Sequence, residues 1–188
     1  MTLSSAPALE TKFAAADLSG IDGEGVFSGY ASLFGTADLS GDLVLPGAFR
    51  RSIASRGAAG IRMLYQHDPA EPIGVWMEVR EDPRGLFVRG RLMADVARGR
   101  EVASLMRAGA LDGLSIGFKT VKARADRTAG IRKLVEIDLW EISVVTFPMQ
   151  PDARVASVKT TGLAARMRRA ARSLHPTSRS LHPTRTNR

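Results

Sequence analysis

Strand-forming segments follow one another along this chain with few regular helices between them, and this order constrains the fold more than any other feature. The segments, rich in β-branched, aromatic and aliphatic residues, lie at 26–34, 61–66, 73–80, 85–93, 114–123, 131–139 and 141–147. A doubly wound parallel sheet is not expected, because its strands alternate regularly with helices. We predict an α+β or mainly β protein, built as an antiparallel barrel or curled sheet of about seven strands with flanking helices.

Two helices are predicted beside this sheet. One begins near Pro46 and runs to about Ser55, since proline is well tolerated in the first turn of a helix. The other follows Asp95, a suitable N-cap, and ends at Gly109.

The positive charge of the chain is concentrated at its C-terminal end. The net charge is +8, yet residues 161–188 hold seven arginines and no acid, whereas residues 1–160 hold 20 basic and 19 acidic residues. This end also repeats Arg-Ser-Leu-His-Pro-Thr, and two copies cannot build a core. We predict a flexible N-terminus over 1–12, a folded domain over 13–158 and a basic, disordered tail over 159–188.

Several classes of site find no support in the sequence. Cysteine is absent, which rules out disulfides and thiolate metal sites and fits a reducing cytosol. We find no secretory signal and no apolar stretch near the roughly 18 residues that span a bilayer. P-loop, Rossmann and EF-hand patterns are also missing. No cofactor and no metal are therefore expected.

A serine between two glycines is the strongest candidate for chemistry. In a strand, Leu114, Ile116 and Phe118 point to one face, and Ser115 stands on the other between Gly113 and Gly117. The small neighbours leave room for another backbone to approach the hydroxyl, as a nucleophile requires. The same spacing occurs in the nucleophile elbow of α/β-hydrolases, but that elbow leads into a helix and here the strand continues. A structural serine on a lightly packed face is the alternative.

His67 is the only histidine outside the basic tail. It follows the strand at 61–66, and Pro69 is expected to prevent a regular element from continuing. Imidazole is the most frequent base for activating a hydroxyl, so His67 is the candidate base, with a purely structural histidine as the alternative.

Glu141 lies within the apolar run 139–145. A carboxylate there is either exposed or buried beside a partner such as an imidazolium, because burial alone is costly. Asp138, Asp112 and Asp68 are rival acids.

Three ordered pairs of segments resemble the prohead serine proteases of tailed phages, relatives of the herpesvirus assemblins. The pairs, within residues 13 to 158, are 29–34 with 42–49, 64–68 with 72–74, and 113–118 with 139–148. The resemblance implies a herpes-protease-like β-barrel, Ser115 as nucleophile and His67 as general base. Herpesvirus members use a second histidine as the third group; Glu141 matches that position here and would orient His67. The oxyanion donors would be backbone N–H groups near Gly109 or Gly113.

The resemblance also implies a function. The chain would be a serine endopeptidase that cleaves capsid and scaffold proteins, and itself, during maturation of a phage or phage-like prohead. Its partners would be a separate major capsid protein with its scaffolding segment, and no membrane. The arginine-rich tail could bind nucleic acid or an acidic scaffold, self-association is left open, and the site of action would be assembling proheads in the bacterial cytoplasm. A non-catalytic scaffolding factor on the same barrel and a nucleic-acid-binding barrel are the alternatives.

Overall fold

The computed structural model describes residues 10–15, 21 and 23–147. In chain order the elements are β1 (Glu10–Ala15), β2 (Val26–Leu33), β3 (Asp42–Val44), α1 (Arg50–Gly60), β4 (Arg62–Tyr65), β5 (Asp68–Glu81), β6 (Gly85–Leu92), α2 (Ala97–Arg107), β7 (Gly113–Asp126) and β8 (Ile131–Val145). β1 begins inside the segment predicted to be flexible. The predicted basic tail lies outside the described residues, so the domain boundaries at 12 and 158 stay predictions.

The strands form one curled, mixed sheet. Their order is β1-β7-β8-β4-β5-β6-β2, with β3 also paired to β8, and the end strands β1 and β2 approach each other. The curled sheet with flanking helices agrees with the prediction, and the described residues hold eight strands where about seven were expected. The prediction of an antiparallel sheet is wrong in one respect, because β3 and β4 both run parallel to β8.

The parallel pairs arise from the length of β8. β3 lies beside Arg132–Leu134 and β4 beside Glu141–Val144, on the same strand. The chain leaves the sheet after β3, forms α1 and returns to β8 in the same direction. The sequence predicts two strands over 131–147, but β8 is a single bulged strand: Gly117 pairs with Glu141 and Phe118 with Leu139, so Trp140 is the extra residue.

One hydrophobic core packs against the sheet. Its fully buried members include Leu114, Ile116 and Phe118 of β7, as the alternation predicts. Helix α2 adds Val102 and Met106 to this core. No helix in the described part of the chain is both long and apolar enough to cross a bilayer.

The helix boundaries differ from the predictions. Helix α1 begins at Arg50, since 46–49 form turns, and it continues to Gly60. The N-cap of α2 is Val96 rather than Asp95, and no side chain caps that end. The end of α2 is as expected: Gly109 has φ +72, a conformation that favours glycine just beyond a helix.

Candidate active site

Strands β7 and β8 bring three polar side chains to one face of the sheet. In the antiparallel register Ser115 stands opposite Ser143, and Gly117 stands opposite Glu141. Because strand side chains alternate between faces, Ser115, Ser143 and Glu141 share the face opposite Leu114 and Ile116. Directly opposed residues have Cβ atoms about 4.5–5.5 Å apart. Ser115 and Ser143 are fully buried and Glu141 is 4% exposed.

Gly117 makes room for the carboxylate of Glu141. A Cβ atom on Gly117 would lie 2.8 Å from the Cδ atom and 2.9 Å from the Cγ atom of Glu141, closer than real Cβ contacts. The sequence interpretation assigned the space beside Ser115 to an approaching backbone. On the Gly117 side, the acid of the neighbouring strand occupies it.

His67 lies at the tip of the hairpin between β4 and β5. Tyr65 pairs with Asp68, so Gln66 and His67 form a two-residue loop. Both have positive φ, +54° for Gln66 and +62° for His67, as in the type I′ turns that suit the twist of a hairpin. The prediction that Pro69 prevents a regular element from continuing is wrong, because β5 starts at Asp68 and includes Pro69. The two-residue loop therefore fixes the position of the His67 backbone, from which the imidazole extends.

The imidazole of His67 contacts the carboxylate of Glu141 directly. Their Nδ1 and Oε1 atoms are 2.6 Å apart, and the two side chains are 19% and 5% exposed. With the carboxylate ionised, Nδ1 carries the proton and donates a hydrogen bond to Oε1. In a neutral imidazole this leaves the lone pair on Nε2, the atom that would receive a proton from a hydroxyl.

The rival acids have other partners or positions. Asp138 forms an ion pair with Arg56 at 2.9 Å, and Asp68 accepts a hydrogen bond from the backbone N–H of Ala70 at 2.8 Å. Asp112 precedes β7 and is half-buried. Of the four candidate acids, Glu141 is the one that lies within hydrogen-bonding distance of the His67 imidazole in the described part of the chain.

The two glycines named for the oxyanion donors lie in different parts of the fold. The amide of Gly109 donates to the carbonyl of Met106 at 3.1 Å within the end of α2. Gly113 lies in β7, opposite Val145. The placement of the oxyanion donors near these two glycines stays a prediction.

Ser143 is the residue of this site that the sequence interpretation missed. Its hydroxyl donates to Oε2 of Glu141 at 2.6 Å and accepts from the backbone N–H of His67 at 3.1 Å. The signal was available in the run Glu-Ile-Ser, because residues two apart in a strand share a face. No group of three or more potential metal ligands occurs among the described residues.

Comparisons with known proteins identify a protease family. Residues 11–168 match the family described as Caudovirus prohead serine protease. The chain is similar to the prohead protease of Enterobacteria phage HK97, with 36% identity over 140 residues, which are 73% of this chain and 61% of that protein. It is also similar to the prohead protease of Escherichia phage T5, with 27% identity over 80% of this chain and 71% of that protein. The chain thus spans less than two thirds of the HK97 protein.

Among solved structures, the fold is similar to that of the bacteriophage T4 capsid assembly protease. The TM-score is 0.58 at 15% identity, over 75% of this chain and 97% of the T4 chain. This likeness concerns the fold alone.

Proposed function

The chain belongs to the caudovirus prohead serine protease family, and on that premise we propose that it is a serine endopeptidase of prohead maturation. The observation that carries the proposal is the 2.6 Å contact between His67 and Glu141 on the face shared with Ser115. A buried carboxylate against a histidine, near a serine flanked by glycines, is the chemistry of acyl transfer.

Each residue has a separate role in the proposed reaction. Nε2 of His67 takes the proton of Ser115 as Oγ attacks the peptide carbonyl carbon. Glu141 stabilises the resulting imidazolium and holds its orientation. The C–N bond then breaks, and Nε2 returns the proton to the leaving amine.

A water molecule completes the cycle. It gives a proton to Nε2 and attacks the acyl group, and Oγ of Ser115 departs with that proton. Backbone N–H groups would stabilise the negatively charged oxygen of the tetrahedral intermediate during both acylation and deacylation. Each such donor contributes about 3–4 kcal/mol in known enzymes. The candidates named from the sequence are the N–H groups near Gly109 and Gly113.

The proposed substrates are proteins of the assembling capsid. The HK97 and T5 relatives are named prohead proteases, and the T4 neighbour is named a capsid assembly protease. By analogy, we propose that this chain acts on the major capsid protein, its scaffolding segment and itself, inside proheads in the host cytoplasm. The seven arginines of residues 161–188 would contribute charge-driven contacts with nucleic acid or an acidic scaffold.

Co-expression with the capsid protein of the same particle tests the proposal. The wild-type chain should shorten that protein, as read by intact mass, and Ser115→Ala and His67→Gln should leave it whole. Ser104→Ala is a matched control, because Ser104 is exposed on α2 and outside the site. It should process like the wild type.

Two results would overturn the proposal. Processing by a folded Ser115→Ala variant would exclude this serine as nucleophile. Assembly promoted equally by wild type and Ser115→Ala, with no cleavage at any stage, would favour the non-catalytic scaffolding factor.

A further inference from the structure

A single buried hydroxyl joins the acid of the site to the turn that carries the histidine. Ser143 is fully buried, and its Oγ atom lies 2.6 Å from Oε2 of Glu141 and 3.1 Å from the backbone nitrogen of His67. We infer that Ser143 is a positioning residue of the protease site, an inference that rests on the proposed function. It acts through Glu141 and His67 and does not touch the substrate.

The first half of this role concerns the carboxylate. Glu141 is a flexible side chain, and its two oxygens have different partners: Oε1 meets Nδ1 of His67 and Oε2 accepts from Ser143. Gly117 limits the carboxylate from the neighbouring strand. Without the hydroxyl, Oε2 would lose the donor that fixes its rotation, and a buried oxygen without a partner is costly.

The second half concerns the hairpin. Gln66 and His67 are the only non-glycine residues with positive φ in the described part of the chain. Such backbone costs roughly 1–2 kcal/mol per residue and persists only where neighbouring structure enforces it. The end of β8 provides this restraint: the carbonyl of Val144 binds the amide of Gln66 at 3.1 Å, and Ser143 binds the amide of His67.

The same contacts separate Ser143 from the nucleophile. A hydroxyl can donate one hydrogen bond while it accepts another. Ser143 donates a hydrogen bond to the Glu141 carboxylate and accepts one from the backbone N–H of His67, so both interactions hold groups of the site in place. Ser115, on the neighbouring strand, remains the hydroxyl proposed to react.

Substitutions at 143 that differ in the hydroxyl test the inference. Ser143→Thr and Ser143→Val have nearly the same shape, and only threonine keeps the donor and acceptor. With a peptide substrate, we expect Ser143→Val and Ser143→Ala to lower kcat about 10- to 100-fold with KM changed less than about threefold. Ser143→Thr should recover most of kcat, and Ser104→Ala should match the wild type.

Readouts that need no cleavage keep the inference separate from the proposed function. In wild-type protein with ¹⁵N-labelled histidine, we expect a downfield Nδ1–H signal, assigned by its loss in His67→Gln. Ser143→Ala should shift or broaden that signal, and Ser143→Thr should restore it. The amide of His67 should also be protected from hydrogen exchange in the wild type.

Results that would overturn the role of Ser143 differ from the result that would overturn only the proposed function. Unchanged kcat in folded Ser143→Val, equal loss in folded Ser143→Thr and Ser143→Val, or a fast-exchanging His67 amide in the wild type would each overturn the inference. The amide measurement holds even if every variant fails to fold. If the NMR results agree but neither wild type nor any variant cleaves, the proposed function fails while the structural role of Ser143 stands.

Discussion

Glu141 is restrained from three directions, and each restraint comes from a different residue. His67 contacts one oxygen, Ser143 contacts the other, and Gly117 leaves just enough space on the neighbouring strand. The carboxylate therefore has one arrangement that satisfies both oxygens. The fixed position of this carboxylate matters because proton transfer through His67 depends on hydrogen-bond geometry.

Gly117→Ala should displace the carboxylate of Glu141 without removing any polar group from the site. The added methyl would overlap the Glu141 side chain, so we expect a destabilisation of about 1–3 kcal/mol by urea unfolding. Loss of the histidine contact should lower cleavage by roughly 100-fold.

Gly23→Ala is the control for that change. A methyl on Gly23 meets no atom within 4 Å, and the backbone there is not left-handed. Its stability should stay within about 0.5 kcal/mol of the wild type or rise slightly. Wild-type cleavage by folded Gly117→Ala would refute the tight fit.

At the scale of elements, the bulge in β8 is held by helix α1. The hydroxyl of Ser52 donates to the carbonyl of Ile137 at 2.6 Å and accepts from the amide of Leu139 at 2.9 Å. These are backbone groups just before the extra residue Trp140, where pairing with β7 changes register. Ser52 thus supplies hydrogen bonds that an irregular strand needs from outside the sheet.

Ser52→Ala should leave two buried backbone groups without this partner. We expect it to lower the free energy of unfolding by about 2 kcal/mol. Ser55→Ala is the comparison, since Ser55 is exposed on the same helix and should change stability by less than about 0.5 kcal/mol. Equal urea midpoints for the two variants would argue against the role of Ser52.

The elements also explain which parts of the fold could be predicted. Alternation in 113–118 identified the apolar, core-packed face of β7, because period two follows directly from strand geometry; the opposite face with Ser115 is buried as well. The parallel pairing of β4 was missed, since a four-residue strand shows its faces but not its neighbours. Residue type favours Asp95 as the N-cap, yet α2 begins after Val96 and has no side-chain cap.

The site shows the same division. His67 could be named because histidine is scarce, and Glu141 because a carboxylate in an apolar run needs a partner. The run Glu-Ile-Ser places Ser143 on the same face as Glu141, but its contact with the hairpin is known only once β4 and β5 are placed beside β8. The role of Gly117 likewise depends on a register of β7 and β8 that no local pattern specifies.

At the scale of the whole molecule, the excess of positive charge and the proposed catalytic residues lie in different parts of the chain. Residues 1–160 are nearly neutral, and residues 161–188 carry seven arginines without an acid. Nucleic-acid affinity and peptide cleavage should therefore be separable by truncation.

Deleting 161–188 should abolish salt-dependent binding to duplex DNA and leave peptide cleavage within about threefold. For the full chain, the logarithm of affinity should fall with the logarithm of salt at a slope no steeper than about −6, as seven cations allow. Fluorescence anisotropy at several salt concentrations measures both chains. Undiminished binding by the truncated chain would place the nucleic-acid contact on the folded domain.

Strand β8 pairs with β7, β3 and β4, and this shared use decides where the chain tolerates changes in length. Adding a residue to the tip at 127–130 would only enlarge a surface loop. The same addition between Glu141 and Ser143 would turn one of them to the opposite face and shift the register of β8 with both β7 and β4. A tag, linker or reporter is best spliced at the former point, and natural insertions should gather there as well.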